Sequence, residues 1–167
     1  MKKILVLLLT IIPLFVFSQR ATPNETAINW ISLKKAKEYA EKYNKNILIY
    51  FYKENCPYCE EMKKETLNDI SVINLINSNF FPVKLNSRAK DTIYYKGKAY
   101  SNQQPVSDGS TWRHDFYAEV SKFKRQGEDM ITTPTIVLFN NKFEKITLFP
   151  GKQPKVQLLR NIQRYLK

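Results

Sequence analysis

The sequence predicts an α/β fold in which a central mixed β-sheet is flanked by helices. Two apolar runs rich in β-branched and aromatic residues, 47–52 and 135–139, have the continuous hydrophobic pattern of strands buried on both faces of a sheet. Segments with helical spacing connect the first strands, and such crossovers make those strands parallel. The turn Asn140-Asn141 makes the last two strands antiparallel.

Hydrophobic periodicity and turn residues place the elements in order. In chain order they are a short strand over 28–30, a helix over 33–43 with Ser32 as its N-cap, the strand over 47–52, a helix that starts at Pro57, a short helix capped by Asp69 or Ser71, a strand over 80–85, a hairpin around Lys96-Gly97, a helix over 113–125 ended by Gly127, the strand over 135–139, its hairpin partner over 143–148 and a last helix over 154–166. Pro82 marks an end or a bulge of its strand, because proline cannot donate to a sheet ladder. The side chains that the last helix is expected to bury are Val156, Leu159, Ile162 and Leu166.

The first residues have the pattern of an export signal. Lys2 and Lys3 precede an apolar run over 4–17, and Ser18 is a small residue just before an expected cleavage at Gln19. An uncleaved membrane anchor is the alternative, although the apolar run is short for a membrane span. We therefore expect a periplasmic or otherwise exported protein.

One domain follows this leader. Removal of a signal peptide over 1–18 leaves about 149 residues, enough for a hydrophobic core. Residues 19–27 have the polar composition of a tether, and the domain covers 28–167 with an insertion over about 86–112. The formal net charge is +12 at pH 7, but the lysines alternate with Glu and Asn and form no stripe, so we expect no nucleic-acid partner. We expect a monomer.

The only two cysteines of the chain lie in the tetrapeptide Cys56-Pro57-Tyr58-Cys59, shortly after the first buried strand. Pro57 suits the first position of a helix, which places Cys56 at the helix N-terminus. The partial positive charge of the free N–H groups there favours the thiolate over the thiol, and the thiolate is the nucleophile in disulfide exchange. An exported chain whose two cysteines share one motif is expected to use them for chemistry rather than as a scaffold.

Three other roles of the cysteine pair are open from the sequence. A zinc site needs further ligands, and the single histidine, His114, does not complete a four-ligand structural site. A purely structural disulfide across so short a loop constrains the unfolded chain little. The rival from another class is a binding module that delivers a soft metal such as Cu(I) through the two thiolates, with Met62, one helical turn from Cys59, as a candidate third ligand.

The order of elements, with Cys-Pro-Tyr-Cys after a buried strand and Thr133-Pro134-Thr135 opening a later one, resembles the thioredoxin superfamily over about residues 28–167. The phrase Asn79-Phe80-Phe81-Pro82-Val83 and Gly151 before the closing helix are similar to exported thioredoxin-like proteins of bacterial envelopes. The tetrapeptide itself is typical of glutaredoxins, but that likeness is local. The resemblance implies a thioredoxin-like fold and a thiol–disulfide oxidoreductase.

The resemblance also implies roles for individual residues. Cys56, exposed at the helix start, would attack a client disulfide, and Cys59, shielded one turn inside, would resolve the mixed disulfide. Pro134 would be a cis-proline beside them, and the cis bond would turn the Thr133 backbone toward an extended client segment. An ordinary trans bond at the start of a strand is the alternative.

Two positions depart from the thioredoxin pattern. Tyr50 stands where thioredoxins carry a buried acid that takes the proton of the resolving thiol, and Asn55 stands where an aromatic residue usually precedes the first cysteine. The route of that proton is therefore open between Lys84, Glu54 and a water molecule.

Several further residues have weaker cases. Pro57 and Tyr58, between the two cysteines, are expected to contact substrate. His114 is expected to lie at the surface or to cap the helix that it opens, because nothing links it to the thiols as a base must be linked. The aromatic residues of the insertion either pack in a hairpin, which is the commoner role of strand aromatics, or line a client groove. They are Tyr94, Tyr95, Tyr100 and Trp112.

The expected function is disulfide exchange with client proteins through the Cys56/Cys59 pair, without a metal or an organic cofactor. The envelope proteins that the sequence resembles are mostly reducing, so the resemblance favours the reductase or isomerase direction. The direction itself depends on the reduction potential and on the partner that recharges the pair. We therefore expect two kinds of partner, client proteins with disulfides or thiols and an electron donor or acceptor in the membrane.

Overall fold

The structure is a computed structural model that describes residues 26–103 and 113–166. The helices and strands within these ranges are α1 (Leu33–Tyr43), β1 (Asn46–Tyr52), α2 (Pro57–Met62), α3 (Ile70–Asn79), β2 (Phe80–Asn86), β3 (Ile93–Tyr95), β4 (Lys98–Tyr100), α4 (Asp115–Ser121), β5 (Phe123–Arg125), β6 (Glu128–Met130), β7 (Thr135–Phe139), β8 (Lys145–Pro150) and α5 (Lys155–Gln163). A π-helical turn, Lys63–Leu67, continues α2.

A four-stranded sheet in the order β2-β1-β7-β8 forms the centre of the fold. β1 pairs in parallel with β2 and antiparallel with β7, and β7 pairs antiparallel with β8. The sheet is therefore mixed, with β1 and β7 as its inner strands. The predicted fold class, a mixed sheet flanked by helices, is confirmed.

Each face of the sheet carries its own hydrophobic core, because successive side chains of a strand point to opposite faces. On one face, Leu48 and Ile136 pack against side chains of α3 and α5. On the other face, Ile49 and Phe51 pack against side chains of α1, α4 and the β3–β4 hairpin. Because both faces are covered, β1 is apolar throughout, and its carboxyl end, where the cysteine motif follows, is held from both sides.

The helix predicted over 113–125 is wrong in its second half. α4 ends at Ser121, and Lys122 has extended backbone angles, φ −66° and ψ 132°. The hairpin β5–β6 follows, and its turn residues Gln126 and Gly127 have φ of 53° and 87°. Positive φ at both turn positions suits the twist of a two-residue hairpin. β5 and β6 are almost entirely exposed, so this stretch has no apolar face for a helix to bury.

Pro82 lies in the middle of β2, opposite Leu48, and not at an end or a bulge as predicted. β2 tolerates the proline because it is an edge strand of the four-stranded sheet. The Pro82 carbonyl accepts a hydrogen bond from the Ile31 N–H at 2.9 Å. The strand predicted over 28–30 is reduced to a single bridge, Ile31 with Val83.

The C-terminal elements differ from the prediction in register. In α5 the fully buried side chains are Leu158 and Ile162, whereas Val156, predicted to be buried, is 63% exposed. Residues four apart share a helix face and residues two apart do not, so burial of Leu158 turns Val156 outward. β8 begins at Lys145 rather than at residue 143.

Some predictions concern residues outside the described ranges. These are the signal peptide over 1–18, most of the tether over 19–27, and residues 104–112 of the insertion, which include Trp112. Within the described ranges, no helix combines the length and the hydrophobicity that a membrane span requires.

Candidate active site

The two cysteines lie where β1 gives way to α2, at the carboxyl end of a central strand. Asn55 has a left-handed backbone conformation with φ 53°, which asparagine tolerates better than most residues. This turn directs the chain into α2, with Pro57 at its first position. Cys56 and Cys59 are joined by a disulfide, and their Cα atoms are 5.2 Å apart.

Cys56 is the N-cap residue of α2. Its Sγ accepts a hydrogen bond from the backbone N–H of Cys59 at 3.3 Å. This N–H belongs to the first turn of the helix, and it also donates to the Cys56 carbonyl oxygen at 3.0 Å. After reduction the same donor stabilises a negative charge on the Cys56 sulfur. The predicted position of Cys56 at the helix start is confirmed.

Both cysteines are buried in the disulfide form, each with 3% of its surface exposed. The expectation of an exposed Cys56 is therefore wrong for this form. The cause is the segment before β7, since the Thr133 carbonyl oxygen lies 3.8 Å and the Thr133 Oγ1 4.0 Å from the Cys56 sulfur. Cys59 is shielded inside the helix, as predicted.

The Thr133-Pro134 segment comes to the disulfide from the start of β7. The peptide bond between the two residues is cis. The Pro134 carbonyl accepts a hydrogen bond from the Gly151 N–H at 2.8 Å, and the Thr135 hydroxyl donates to the Thr132 carbonyl. These bonds tie the segment at both ends and hold Thr133 beside Cys56, although the two are 77 residues apart in sequence.

Pro57 and Tyr58 lie on the outer surface of the same site. Both are exposed, and Tyr58 is exposed to 63%. A large aromatic side chain that is open to solvent next to a reactive sulfur suits contact with a protein surface. The structure thus brings all four expected substrate-binding residues to the two cysteines.

Tyr50 lies beneath Cys59 on β1. Its hydroxyl donates a hydrogen bond to the Cys59 carbonyl at 3.3 Å. Burial, followed by the nearby charges of Glu60 and Tyr52, raises the pKa of Tyr50 to about 12. The Tyr50 hydroxyl therefore keeps its proton at neutral pH and does not replace a buried carboxylate as a base.

A pocket of about 130 Å³ reaches the Cys59 side of the disulfide. Its lining residues are Ala27, Ile28, Trp30, Tyr50, Tyr52, Cys59, Glu60, Lys63, Leu67, Asn68 and Lys84. The Lys84 ammonium lies 4.4 Å from the centre of the Tyr52 ring, which is a cation–π contact. This volume has room for several water molecules, and the polar groups of the wall supply their partners. We refer to it as the Cys59 pocket.

The two side chains predicted for proton transfer lie in different places. Lys84 is part of the wall of the Cys59 pocket. Glu54 is exposed and lines a separate polar depression of about 490 Å³ together with Lys53, Asn55, Asn86 and Arg88. The structure therefore brings Lys84 together with Cys59 and places Glu54 elsewhere.

His114 is the N-cap residue of α4. His114 is 2% exposed, so it caps the helix from a buried position and does not lie at the surface. Its Nδ1 accepts a hydrogen bond from the Phe116 N–H at 3.0 Å, and its Nε2 lies 2.7 Å from the Asp91 carbonyl oxygen. A neutral imidazole with its proton on Nε2 satisfies both contacts. His114 thus anchors the insertion to α4.

Met62 is fully buried in the core that also contains Leu67, Val72 and Ile73. Its thioether is part of the packing beneath α2. Across residues 26–103 and 113–166, no group of three or more His, Cys, Asp or Glu side chains is arranged to hold a metal ion.

The aromatic residues of the insertion take different positions. Tyr95 is 4% exposed and Tyr94 is 66% exposed. Tyr95 makes edge-on contacts with Phe116, Phe139 and Phe143. Tyr95 is therefore a packing residue, while Tyr94 points to solvent.

Sequence reasoning missed two features of the site. Glu60 lines the Cys59 pocket, and its position directly after Cys59 is the sequence signal that could have identified it. Trp30 lies 5.9 Å, ring centre to ring centre, from Tyr50 and closes the same pocket. No motif marks Trp30, because its segment is irregular and distant in sequence.

The four-stranded mixed sheet, with a cysteine pair at the start of the helix after a central strand, defines the thioredoxin class of fold. Solved structures of this class superimpose on the chain. A DsbH oxidoreductase has a TM-score of 0.59 at 14% identity, with 89% of this chain and 92% of that chain covered. A thioredoxin from Thermus thermophilus has a TM-score of 0.56 at 17% identity, with 84% and 88% covered. A thioredoxin-fold protein from Helicobacter pylori has a TM-score of 0.50 at 23% identity, with 74% and 70% covered.

The sequence profile of the thioredoxin-like domain family matches residues 33–165, and the chain belongs to this family. No curated protein matches the chain. The predicted membership of the thioredoxin superfamily is confirmed. Family membership and the Cys56–Cys59 disulfide together make the protein a thiol–disulfide oxidoreductase.

Proposed function

We propose that the protein is exported and exchanges disulfides with client proteins through Cys56 and Cys59, in the reductase or isomerase direction. The observation that carries the proposal is the disulfide between these residues at the N-terminus of α2, with Thr133 in contact with the Cys56 sulfur. The sequence pattern of residues 1–18 supports export.

The exchange has two steps in the reducing direction. In the first, the Cys56 thiolate attacks a client disulfide, a bond forms between Cys56 and one client sulfur, and the other client sulfur leaves as a thiolate. In the second, the Cys59 thiolate attacks the Cys56 sulfur, and the first client sulfur leaves. The client gains two electrons, and the Cys56–Cys59 disulfide is restored. The two sulfurs carry out this cycle without a metal or an organic cofactor.

Client binding uses the surface around Cys56. The Thr133 backbone, held beside the Cys56 sulfur, offers hydrogen bonds to an extended client segment. Pro57 and the exposed ring of Tyr58 supply apolar contact area on the other side of the same sulfur. The client disulfide thereby comes into line with Cys56.

A partner must reduce the Cys56–Cys59 disulfide between cycles. An exported reductase works outside the reducing cytosol, so we assign this role to an electron donor in the membrane. In the isomerase direction, Cys56 is released from the client without net electron transfer, and the donor is needed only to restore the occasional oxidised pair.

The test of this proposal is turnover of insulin disulfides by the purified protein with dithiothreitol as electron donor. We expect turnover well above the dithiothreitol background, complete loss in Cys56→Ser, and no change in Tyr94→Phe, which alters an exposed tyrosine of the insertion. Equal turnover by wild type and Cys56→Ser would contradict an enzymatic role.

Export is tested separately. Expression of the full chain in a bacterium should yield a processed protein that begins at Gln19, and retention of residues 1–18 would contradict cleavage.

A further inference from the structure

The buried position of Cys59 raises a question of proton transfer. Under the proposed function, Cys59 must become a thiolate before it can attack the mixed disulfide. Its side chain is 3% exposed, so bulk water has little direct access to the sulfur. We propose that Glu60 accepts the proton of Cys59 through water in the Cys59 pocket. This inference rests on the proposed function and concerns only its second step.

The Cys59 pocket supplies the route. Cys59 and Glu60 both line it, and its volume of about 130 Å³ exceeds what a single water molecule needs. Asn68 and Tyr52 lie in the same wall. Under this proposal, water in the pocket connects Cys59 to Glu60, both of which line it.

The chemistry of the wall selects Glu60 as the acceptor. Besides Cys59, the titratable side chains that line the pocket are Tyr50, Tyr52, Glu60, Lys63 and Lys84. Lysine ammonium groups are donors without an acceptor site, and a tyrosine hydroxyl is a poor proton acceptor at neutral pH. The Tyr50 hydroxyl is also engaged with the Cys59 carbonyl. Among the residues of this wall, Glu60 is the carboxylate.

The surroundings of Glu60 suit a group that takes a proton and passes it on. Its side chain is 75% exposed, and its Oε2 lies 3.9 Å from the Lys63 ammonium. Because the Glu60 side chain is exposed, a proton that it accepts can leave for bulk water. Lys84, in the same wall, is a positioning residue whose positive charge favours the Cys59 thiolate that remains.

The step balances in atoms and charge. The Cys59 thiol gives its proton to a pocket water, which passes a proton to the Glu60 carboxylate. The Cys59 thiolate then bonds to the Cys56 sulfur as the bond from Cys56 to the client breaks. The departing client thiolate takes a proton from solvent, and Glu60 returns its proton to solvent.

The test follows the second step directly in the reduced full-length domain. Reaction with 5,5′-dithiobis(2-nitrobenzoate) releases one coloured thiolate when Cys56 attacks and a second when Cys59 displaces the group left on Cys56. Stopped-flow absorbance separates the two phases. We expect Glu60→Gln to slow the second phase about tenfold at pH 7, a modest effect for a positioned proton acceptor. The first phase should remain, and the difference should vanish at alkaline pH, where hydroxide removes the thiol proton.

Three controls separate this role from a structural one. Glu61→Gln makes the same chemical change one residue away, on a carboxylate that binds Lys152 at 2.8 Å and is not part of the pocket wall, and it should leave the second phase unchanged. Glu60→Asp should restore most of the rate at pH 7. Small carboxylate or imidazole buffers should accelerate the second phase of Glu60→Gln but not of wild type.

The outcomes distinguish the inference from the proposed function. A second phase that is unchanged or faster in Glu60→Gln contradicts the inference, because loss of a negative charge alone would favour the Cys59 thiolate. Slowing in Lys84→Met without slowing in Glu60→Gln also contradicts it and assigns the effect to the positive charge of Lys84. Absence of the first phase in the wild-type protein contradicts the proposed function itself.

Discussion

Cys56 and Cys59 are equally buried, each 3% exposed, but their surroundings differ. Cys56 is covered by Thr133, whose carbonyl oxygen lies 3.8 Å from its sulfur. Cys59 borders a pocket of about 130 Å³ whose wall carries a carboxylate and two lysines. One sulfur is thus closed by a backbone segment, and the other opens onto a polar pocket.

This difference matches two separate tasks. A client strand can pair with the Thr133 backbone and so come beside Cys56, which suits the sulfur that captures. Tyr50, whose hydroxyl donates to the Cys59 carbonyl, and Met62, one helical turn from Cys59, belong to the hydrophobic core. Under our proposal the Cys59 proton leaves through the pocket. The comparison predicts that changes beneath Cys59 alter stability and the release step, whereas changes around Cys56 alter client binding.

The largest effect on stability is expected beneath Cys59. Met62→Ala removes a fully buried side chain from the core, and it should lower the free energy of unfolding by about 2–5 kcal/mol, as large-to-small core substitutions do. Met62→Leu keeps the volume and should cost less than about 1.5 kcal/mol. Guanidinium denaturation of the oxidised protein measures both.

Met62→Leu also tests the metal-binding alternative. It should leave insulin turnover intact, because a core methionine serves as packing. A marked fall in Cu(I) affinity of reduced Met62→Leu, with turnover absent in the wild type, would favour a copper-delivery module instead.

A smaller effect is expected from the hydroxyl of Tyr50. Tyr50→Phe removes the hydrogen bond to the Cys59 carbonyl and should lower the free energy of unfolding by about 0.5–1.5 kcal/mol. Tyr52→Phe is the matched control on the same strand and should cost less. Urea denaturation measures the free energy of unfolding of both variants. A larger decrease in Tyr52→Phe than in Tyr50→Phe would contradict a stabilising role of the Tyr50 hydrogen bond.

Around Cys56 the expected effect is on binding. Tyr58 is 63% exposed, so Tyr58→Ala should change the free energy of unfolding by less than about 0.5 kcal/mol. If Tyr58 contacts the client as proposed, the KM for insulin should rise severalfold while kcat changes little, because the ring takes no part in the exchange of disulfide bonds. An unchanged KM would remove Tyr58 from the client surface.

The smallest effect is expected far from both sulfurs, at the start of α3. The hydrogen bond from Lys155 lowers the pKa of Asp69 below its ordinary value of 3.8. A carboxylate with a lowered pKa in the folded state contributes stability that is present above its ordinary pKa and is lost as pH falls through the lowered value. In Asp69→Asn, the free energy of unfolding should therefore fall slightly less than in wild type as the pH is lowered through the acid range. A thermal melting series from pH 5 to about pH 2 checks this, and an acid limb identical to that of wild type would contradict it.

The contrast between the two sulfurs also explains what the sequence predicted well. The apolar run 47–52 and Pro57 fixed the strand, the helix start and the place of Cys56, because each signal is local. The family resemblance pointed to Pro134 beside the two cysteines, and the structure places the adjacent Thr133 next to the Cys56 sulfur, 77 residues away in sequence. No periodicity or spacing in the chain alone contains that contact.

The errors have physical causes that local patterns do not carry. The residues after Ser121 are compatible with a helix, but the exposed segment has no apolar face to bury. The turn at Gln126-Gly127 makes it a hairpin instead. Cys56 is buried because a distant segment covers it, and the Cys59 pocket exists because Trp30 and Lys84 meet from separate elements. Each depends on tertiary packing.

The claim that Cys56 captures the client and Cys59 releases it is tested most directly by the intact mass of two variants after reaction with insulin. We predict that reduced Cys59→Ala accumulates a covalent adduct with an insulin chain and that this adduct is released by dithiothreitol. We predict that Cys56→Ala forms no such adduct on the same timescale, because its remaining sulfur is shielded within α2. Equal adducts on both variants, or none on Cys59→Ala, would contradict capture by Cys56 and release by Cys59.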